Sequence, residues 1–313
     1  MLFDLIENNI YNTKINFNKF INNIPKNTLV ILIKKIINIS RNNGIIYITG
    51  IGKSETIGIN FCNLLKSISI KSFFLNCQNS LHGDIGTINN KDMIIMLSNS
   101  GNTKELLDII DNLQLRKCYI SSIVCKRQSK LKDKSDLIIE LDYLNELENN
   151  INTIPTNSSM IQLITCNIII SSLTSIININ KDEYKLNHYN GNIGENLRKI
   201  KDIMIINYPK IILEEKVLLN NVLLEMTKSS IGCCFFVNTN NEYIGLLTDG
   251  DIRRLLIKNN NLNIIKIEHI NNNSYYETDT NKYLIYIDNI KKKKFIPIID
   301  NNKILGIISY KNF

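Results

Sequence analysis

The sequence predicts an α/β protein: a doubly wound parallel sheet followed by a smaller α+β module. Three observations predict it. Short, continuous apolar runs at 45–49, 72–76, 93–98, 119–124 and 137–141 read as strands buried on both faces. Helical patterns at 54–68, 103–115 and 128–133 lie between most of them, the alternation expected of a parallel sheet covered by helices on both sides. Beyond about residue 203 the text changes character. There Phe235–Thr248 recurs about sixty residues on as Ile296–Ser309, each copy a strand, a polar turn and a strand holding one glycine, so the tail is a paired module.

In chain order, residues 1 to about 43 read as helical, with Leu29–Ile33 and Ile36–Ile37 giving a thick apolar face. After the alternating region come helices at 157–178 and 192–202. The division is therefore a first domain over 1–200 and a tail over 203–313, the tail split into copies at about 203–260 and 264–313 with the second shortened.

With 44% hydrophobic and 21% charged residues among 313, the chain has the balance of a soluble globular protein. The excess of Ile, Asn and Lys, with no Trp, points to A/T-rich codons, and the same bias accounts for much of the +8 net charge. The lysines are scattered. Their one dense run, Lys291–Lys294, reads as a solvated turn, so neither a nucleic-acid nor a membrane partner is expected. Seven cysteines show no CxxC and no metal-finger spacing, which points to buried thiols in a reducing cytoplasm. MLFDLIENN lacks the basic-then-apolar layout of a signal peptide. The most lipid-like run, Leu163–Ile179, is interrupted by Asn167, Ser171, Ser172, Thr174 and Ser175 and reads as a core helix.

Three loops follow the carboxyl ends of candidate strands. The first, Gly50-Ile-Gly-Lys53-Ser54, lies between strand and helix as a phosphate-binding turn would. It is not a Walker loop, because Tyr47 stands where that motif needs glycine, and Glu55 stands where a dinucleotide fingerprint needs its third. Its glycines let a backbone approach an anion, Ser54 offers a hydroxyl and Lys53 a charge. The second loop is Leu81-His82-Gly83-Asp84-Ile85-Gly86. The third, Ser98-Asn99-Ser100-Gly101-Asn102-Thr103-Lys104-Glu105, runs into a helix amino terminus and supplies neutral donors suited to a phosphate monoester. Plain capping by Thr103 or Asn102 is the alternative reading of that loop. His82, His188 and His269 are the only histidines, with no ligand spacing and hence no expected metal. His82 and His188 sit in loops where an acid–base group could act.

GIGKS, SLHGDIG, SNSGNTKE, IPTNSS and LNHYNGNIG, in this order, resemble the sugar isomerase (SIS) domain of D-arabinose 5-phosphate isomerases. The repeated tail resembles the pair of CBS modules that follows that domain, with Thr248-Asp-Gly-Asp251-Ile-Arg-Arg254 matching the end of the first. The resemblance covers roughly residues 25 to 313. It implies reversible interconversion of D-ribulose 5-phosphate and D-arabinose 5-phosphate through an enediolate, feeding Kdo synthesis for lipopolysaccharide and requiring no cofactor. It implies charge stabilisation by Lys53, sugar orientation by His82, acid–base work by Glu105 and Glu146, and ring opening or proton transfer by His188. Ser54, Ser98, Ser100 and Thr103 would hold the phosphate, and Thr248 and Asp251 are candidate nucleotide contacts of the tail. A homotetramer with sites at subunit interfaces is implied as well. Glu148 is an alternative to Glu146.

Four departures from the pattern stand out. The loop His188-Tyr-Asn-Gly191 replaces His-Pro-Gly-Gly, Glu195 stands where an arginine is usual with Arg198 nearby, and the second tail copy carries Asn312 for its acidic residue. The spacing from Glu146 to Pro155 is also one residue longer. The rival reading is a non-catalytic SIS sensor of sugar phosphates. It is weakened by the absence of a helix-turn-helix segment and by two acids, two histidines and Lys53 standing in the motif positions.

Overall fold

The computed structural model describes the chain apart from residues 127, 148–152, 189–190, 260–261, 273–274, 288–293 and 310–313. It divides into two compact units, Met1–Asn187 and His188–Phe313. In the first, the helical stretch expected over 1–43 is two helices, α1 (Leu2–Asn22) and α2 (Lys26–Arg41). The break falls at Ile24-Pro25, where proline lacks an N–H and steers the residue before it out of the helical region. α2 buries Leu29, Leu32, Ile33, Ile36 and Ile39, the three-to-four spacing of a single helix face.

The sheet follows as β1 (Ile46–Gly50), α3 (Lys53–Ser67), β2 (Ser72–Phe74), α4 (Cys77–Ser80), β3 (Met93–Ser98), α5 (Lys104–Leu115), β4 (Tyr119–Val124), α6 (Lys130–Lys134) and β5 (Leu137–Glu140). α7 (Asn157–Ile177) and the short α8 (Lys181–Asn187) complete the unit. All five strands run parallel in the order β2-β1-β3-β4-β5. Side chains alternate as strand geometry demands. Ile46, Ile48, Met93, Ile95 and Leu97 join a core with α2, α3 and α7, while Tyr47, Ile94 and Met96 join one with α5. Strand order reverses between β1 and β3, so the segments leaving them diverge and open a crevice at their carboxyl ends.

α7 is the one helix among the described residues that is long and apolar enough to cross a membrane. It buries Ile161, Thr165, Cys166, Ile169 and Leu173 in the core and leaves Leu163, Ile176 and Ile177 exposed. The expected core helix is thus buried along one face.

In the second unit the single helix expected over 192–202 is two short ones, α9 (Asn192–Asn196) and α10 (Ile200–Ile203). Ile200 is fully buried with Leu284, Ile287, Ile296, Ile298 and Ile308, and Lys199 bridges to Tyr283. Those contacts draw 188–203 into the second unit, so the division falls before His188 rather than near residue 200. Next come β6 (Lys210–Ile212), β7 (Val217–Leu218), α11 (Leu219–Ser229), β8 (Cys233–Val237), β9 (Tyr243–Thr248), α12 (Asp249–Lys258), β10 (Ile264–Ile265), β11 (Phe295–Asp300) and β12 (Lys303–Ser309). The sequence repeat is realised as two antiparallel hairpins, β8–β9 and β11–β12, each with an irregularity beside its turn. Asn312 lies outside the described residues, as do Lys291, Lys292 and Lys293 of the basic run.

The glycine retained in each repeat has a steric cause. Leu246 pairs with Asn271 and Ile307 with Ile205, each bringing a foreign backbone against its hairpin. A Cβ on Gly245 would stand 2.7 Å from the Asn271 carbonyl oxygen, and one on Gly306 would stand 2.9 Å from that of Ile205. Gly245→Ala and Gly306→Ala are each expected to lower the stability of the second unit by about 1–3 kcal/mol. The readout is a shift of the urea midpoint, and an unchanged midpoint would show that these crossings are loose.

Candidate active site

A cleft of about 290 Å³ opens at the carboxyl ends of β1 and β3. Three helix starts meet there. Lys53 and Ser54 come from α3, Thr103 from the head of α5, and Ser158 and Gln162 from α7. Helix amino termini present N–H groups and partial positive charge, so their convergence suits an anion.

The turn after β3 is the most elaborate wall. Ser98 is buried, and its hydroxyl accepts from the Gly101 amide at 2.9 Å and shares a hydrogen bond with the Thr103 hydroxyl at 2.8 Å. Ser100 Oγ accepts from the Asn102 amide at 3.1 Å. Gly101 takes a φ of +65°, and a Cβ there would collide with Ser129. Thr103 is the N-cap residue of α5, yet its side chain makes no cap hydrogen bond. The alternative of plain capping by Thr103 is therefore not what its hydroxyl does: it is turned to Ser98 instead.

Opposite, Lys53 is exposed at the first residue of α3, while the Ser54 hydroxyl donates to Gln162 Oε1 at 3.0 Å. Ser54 lines the cleft, but its hydrogen is already engaged.

Glu146 is placed one layer behind. It is buried at 4% exposure, and its Oε2 accepts from the Thr156 amide at 2.9 Å, the Thr156 hydroxyl at 3.1 Å and the Ser158 amide at 3.1 Å. Its Oε1 accepts from the Tyr143 hydroxyl at 3.2 Å. Tyr143 also reaches Asn99 Oδ1 at 3.3 Å, on the cleft wall. Burial, reinforced by the Glu146 charge, pushes the Tyr143 phenol up to about 12. Glu146 thus places a carboxylate oxygen against the amides at the start of α7.

The remaining expected residues lie elsewhere. Glu105 is half-buried in the first turn of α5, close to Cys77, whose thiol is raised mainly by burial, with the Glu105 and Glu55 charges adding to it. The Cys77 sulfur lies 3.0 Å from Thr49 Oγ1. His82 is exposed in the turn after α4, its amide donating to the Asn79 carbonyl at 2.9 Å. His188 opens the second unit and is not among the residues the first unit gathers. Glu148 lies outside the described residues. The cleft therefore unites Lys53, Ser54, Ser98, Ser100 and Thr103, and not Glu105 or His82.

Sequence reasoning missed Asn99, Ser158, Gln162 and Tyr143. Ser158 and Gln162 belong to or follow the IPTNSS motif, which marks them only once the start of α7 is known to face the cleft. The Ser158 hydroxyl is buried and has no hydrogen-bond partner among the described residues. No group of three or more acidic, histidine or cysteine side chains positioned for a metal occurs among the described residues.

A second cleft, of about 410 Å³, lies in the second unit and is bordered by Gly232, Thr248, Asp249, Gly250 and Lys294. Of the two expected nucleotide contacts only Thr248 lines it. The Asp251 carboxylate instead closes the cap of α12, accepting from the Thr248 amide at 2.9 Å and hydroxyl at 2.6 Å, and it pairs with Arg254. Partial burial opposes ionisation, but those hydrogen bonds and the arginine hold the carboxyl below its ordinary value.

Removing the Glu146 carboxylate would strand four donors in the interior. Glu146→Ala is expected to cost the first unit roughly 2–4 kcal/mol, since buried groups hydrogen-bonded to a charge are expensive to leave unpaired. Glu146→Gln, which keeps one acceptor oxygen, is expected to cost less. Equal urea midpoints for the two variants and the native chain would contradict this role.

The SIS domain family matches residues 39–172 and the CBS domain family residues 200–258. An uncharacterized protein of Rickettsia prowazekii (strain Madrid E) is 32% identical over 274 residues, spanning 85% of this chain and 83% of the relative. Arabinose 5-phosphate isomerase KdsD of Yersinia pestis is 25% identical, spanning 86% of this chain and 83% of that protein. The solved structure of an Escherichia coli CFT073 protein in complex with arabinose 5-phosphate is 26% identical with a TM-score of 0.54, covering 60% of this chain and 97% of the other. The parallel sheet, the cleft at its switch point and these matches agree: the chain belongs to the SIS-domain family and carries a CBS domain behind its SIS domain.

Proposed function

We propose that the protein is a sugar-phosphate isomerase that interconverts D-ribulose 5-phosphate and D-arabinose 5-phosphate, supplying Kdo synthesis. The observation that carries this reading is the serine-lined turn after β3. Its hydroxyls stand at the start of α5, whose N-cap residue Thr103 makes no side-chain cap hydrogen bond among the described residues, and Lys53 stands across the cleft. The related structure with arabinose 5-phosphate bound supports the ligand class.

In this reading Ser98, Ser100 and Thr103, with the α5 amides, grip the phosphate. The sugar then extends toward Lys53, whose ammonium opposes the negative charge that develops on the enediolate oxygen. A base removes the proton beside the carbonyl and returns it to the neighbouring carbon, with no electrons gained or lost overall, so no cofactor is called for. The resemblance assigns acid–base work to Glu105 and Glu146, sugar orientation to His82 and ring opening or proton transfer to His188; none of the four lines the cleft shared by Lys53 and the serines. Four donors already occupy Glu146, which gives it a second task in holding the start of α7. Thr248 keeps its place as a candidate contact for a nucleotide in the second unit. Seven buried free cysteines fit a reducing cytoplasm.

Incubation of the purified full chain with D-ribulose 5-phosphate is expected to yield D-arabinose 5-phosphate. Lys53→Met is expected to lower kcat by roughly 100-fold or more with KM little changed, the loss typical of a group that acts on transition-state charge. Absence of turnover from folded protein that still binds the sugar phosphate would overturn the enzyme reading in favour of a sensor.

A further inference from the structure

The wall of the cleft behind the β3 turn holds a phenol with more acceptors around it than hydrogens to give. The Tyr143 hydroxyl stands 3.2 Å from Glu146 Oε1 and 3.3 Å from Asn99 Oδ1, and a phenol carries one hydrogen. Burial and the Glu146 charge keep that hydrogen in place. It belongs to the carboxylate, because hydrogen bonds to an ionised acceptor are roughly twice as strong as neutral ones. The carboxylate is itself held, its Oε2 accepting from the Thr156 amide and hydroxyl and the Ser158 amide. The phenol oxygen is then left facing the Asn99 carbonyl oxygen with no hydrogen between them. Half a turn of the side-chain amide exchanges Oδ1 for Nδ2 at nearly the same shape and gives every group a partner. The backbone at this point is fixed, since the Cys125 amide donates to the Asn99 main-chain carbonyl at 3.1 Å.

We propose that Asn99 stands with Nδ2 on the phenol and Oδ1 toward the cleft, where Oδ1 accepts the C4 hydroxyl of an open-chain pentose 5-phosphate and so selects that form over the furanose ring. The proposal rests on the reading that the phosphate sits beside the serines. Asn99 lines the cleft and lies between Ser98 and Ser100, so the sugar oxygen within its reach is the one on the carbon next to the phosphate-bearing carbon. That oxygen separates the two forms of the aldose. With O5 phosphorylated, the ring closes through O4, which then bears no hydrogen. Opening breaks the C1–O4 bond; O1 loses its proton and becomes the aldehyde oxygen, and O4 gains one. The open aldose and the ketose can both donate from O4, and the ring cannot. Isomerisation needs the free carbonyl, so a cleft that prefers the O4 hydroxyl holds the species that reacts. Asn99 moves no proton itself, and Tyr143 is a positioning residue that fixes which end of the amide faces the sugar.

Two unreactive ligands test this on the full chain by titration calorimetry, with circular dichroism to confirm that each variant is folded. D-arabinitol 5-phosphate is an open chain with a hydroxyl at C4, whereas in 1,4-anhydro-D-arabinitol 5-phosphate O4 is a ring ether. Asn99→Leu is expected to weaken the open ligand by about 5- to 10-fold, the loss of one hydrogen bond, and the ring ligand by less than about 2-fold. Tyr143→Phe is expected to move the ratio of the two affinities the same way by a smaller factor, whereas a merely structural tyrosine would weaken both ligands alike. An unchanged ratio in either variant overturns the proposal while leaving sugar-phosphate binding intact. Binding of neither ligand to the folded native chain overturns the sugar-phosphate reading and this proposal with it.

Discussion

The placement of the cleft in the first unit follows from one topological constraint: β1 and β3 lie side by side, yet their chains continue to opposite ends of the sheet. Helices that follow two adjacent parallel strands normally close over the strand ends. Where strand order reverses they part, and the crevice is lined by turns and helix starts instead of apolar side chains. Here the parting leaves Lys53 and Ser54 on one side and Ser98 to Thr103 on the other. Continuous burial of both strands holds those turns at a fixed separation.

Within that crevice, three helix starts compete for negative charge and the protein answers one of them itself. Glu146 lies at the head of α7, taking the Thr156 and Ser158 amides. α5 has no such internal partner from its N-cap side chain, since Thr103 turns to Ser98. In the proposed reading the phosphate therefore sits beside the serines, with Lys53 toward the other end of the sugar. The Tyr143 hydroxyl reaches both Glu146 Oε1 and Asn99 Oδ1, which joins the loop after β5 to the turn after β3.

Much of this was legible in the chain itself. Runs such as Met93–Ser98 and Tyr119–Val124 are continuous and apolar because both faces of the strand are covered, so their limits coincide with the observed strands. The serine-rich turn was legible because hydroxyl and glycine residues cluster there between a buried strand and a helix start. Other features depend on contacts far along the sequence. The affiliation of 188–203 is decided by Ile200 meeting residues 284–308, and nothing local announces it. Asp251 looked free to bind a ligand, yet the Thr248–Asp251 spacing is also that of a capping box, and the helix claimed it. Nothing next to Glu146 in the sequence marks its partners, and only the fold shows it facing the head of a helix that begins eleven residues later.

In the proposed reading the phosphate of a bound sugar sits at the head of α5 with the reacting carbons toward Lys53. A crystal structure of the full chain with D-arabinose 5-phosphate tests it most directly. Phosphate oxygens are expected within about 3 Å of the Ser100 and Thr103 hydroxyls. A phosphate bound instead between Lys53 and the start of α7, with the sugar carbons lying over Ser98 to Thr103, would contradict it.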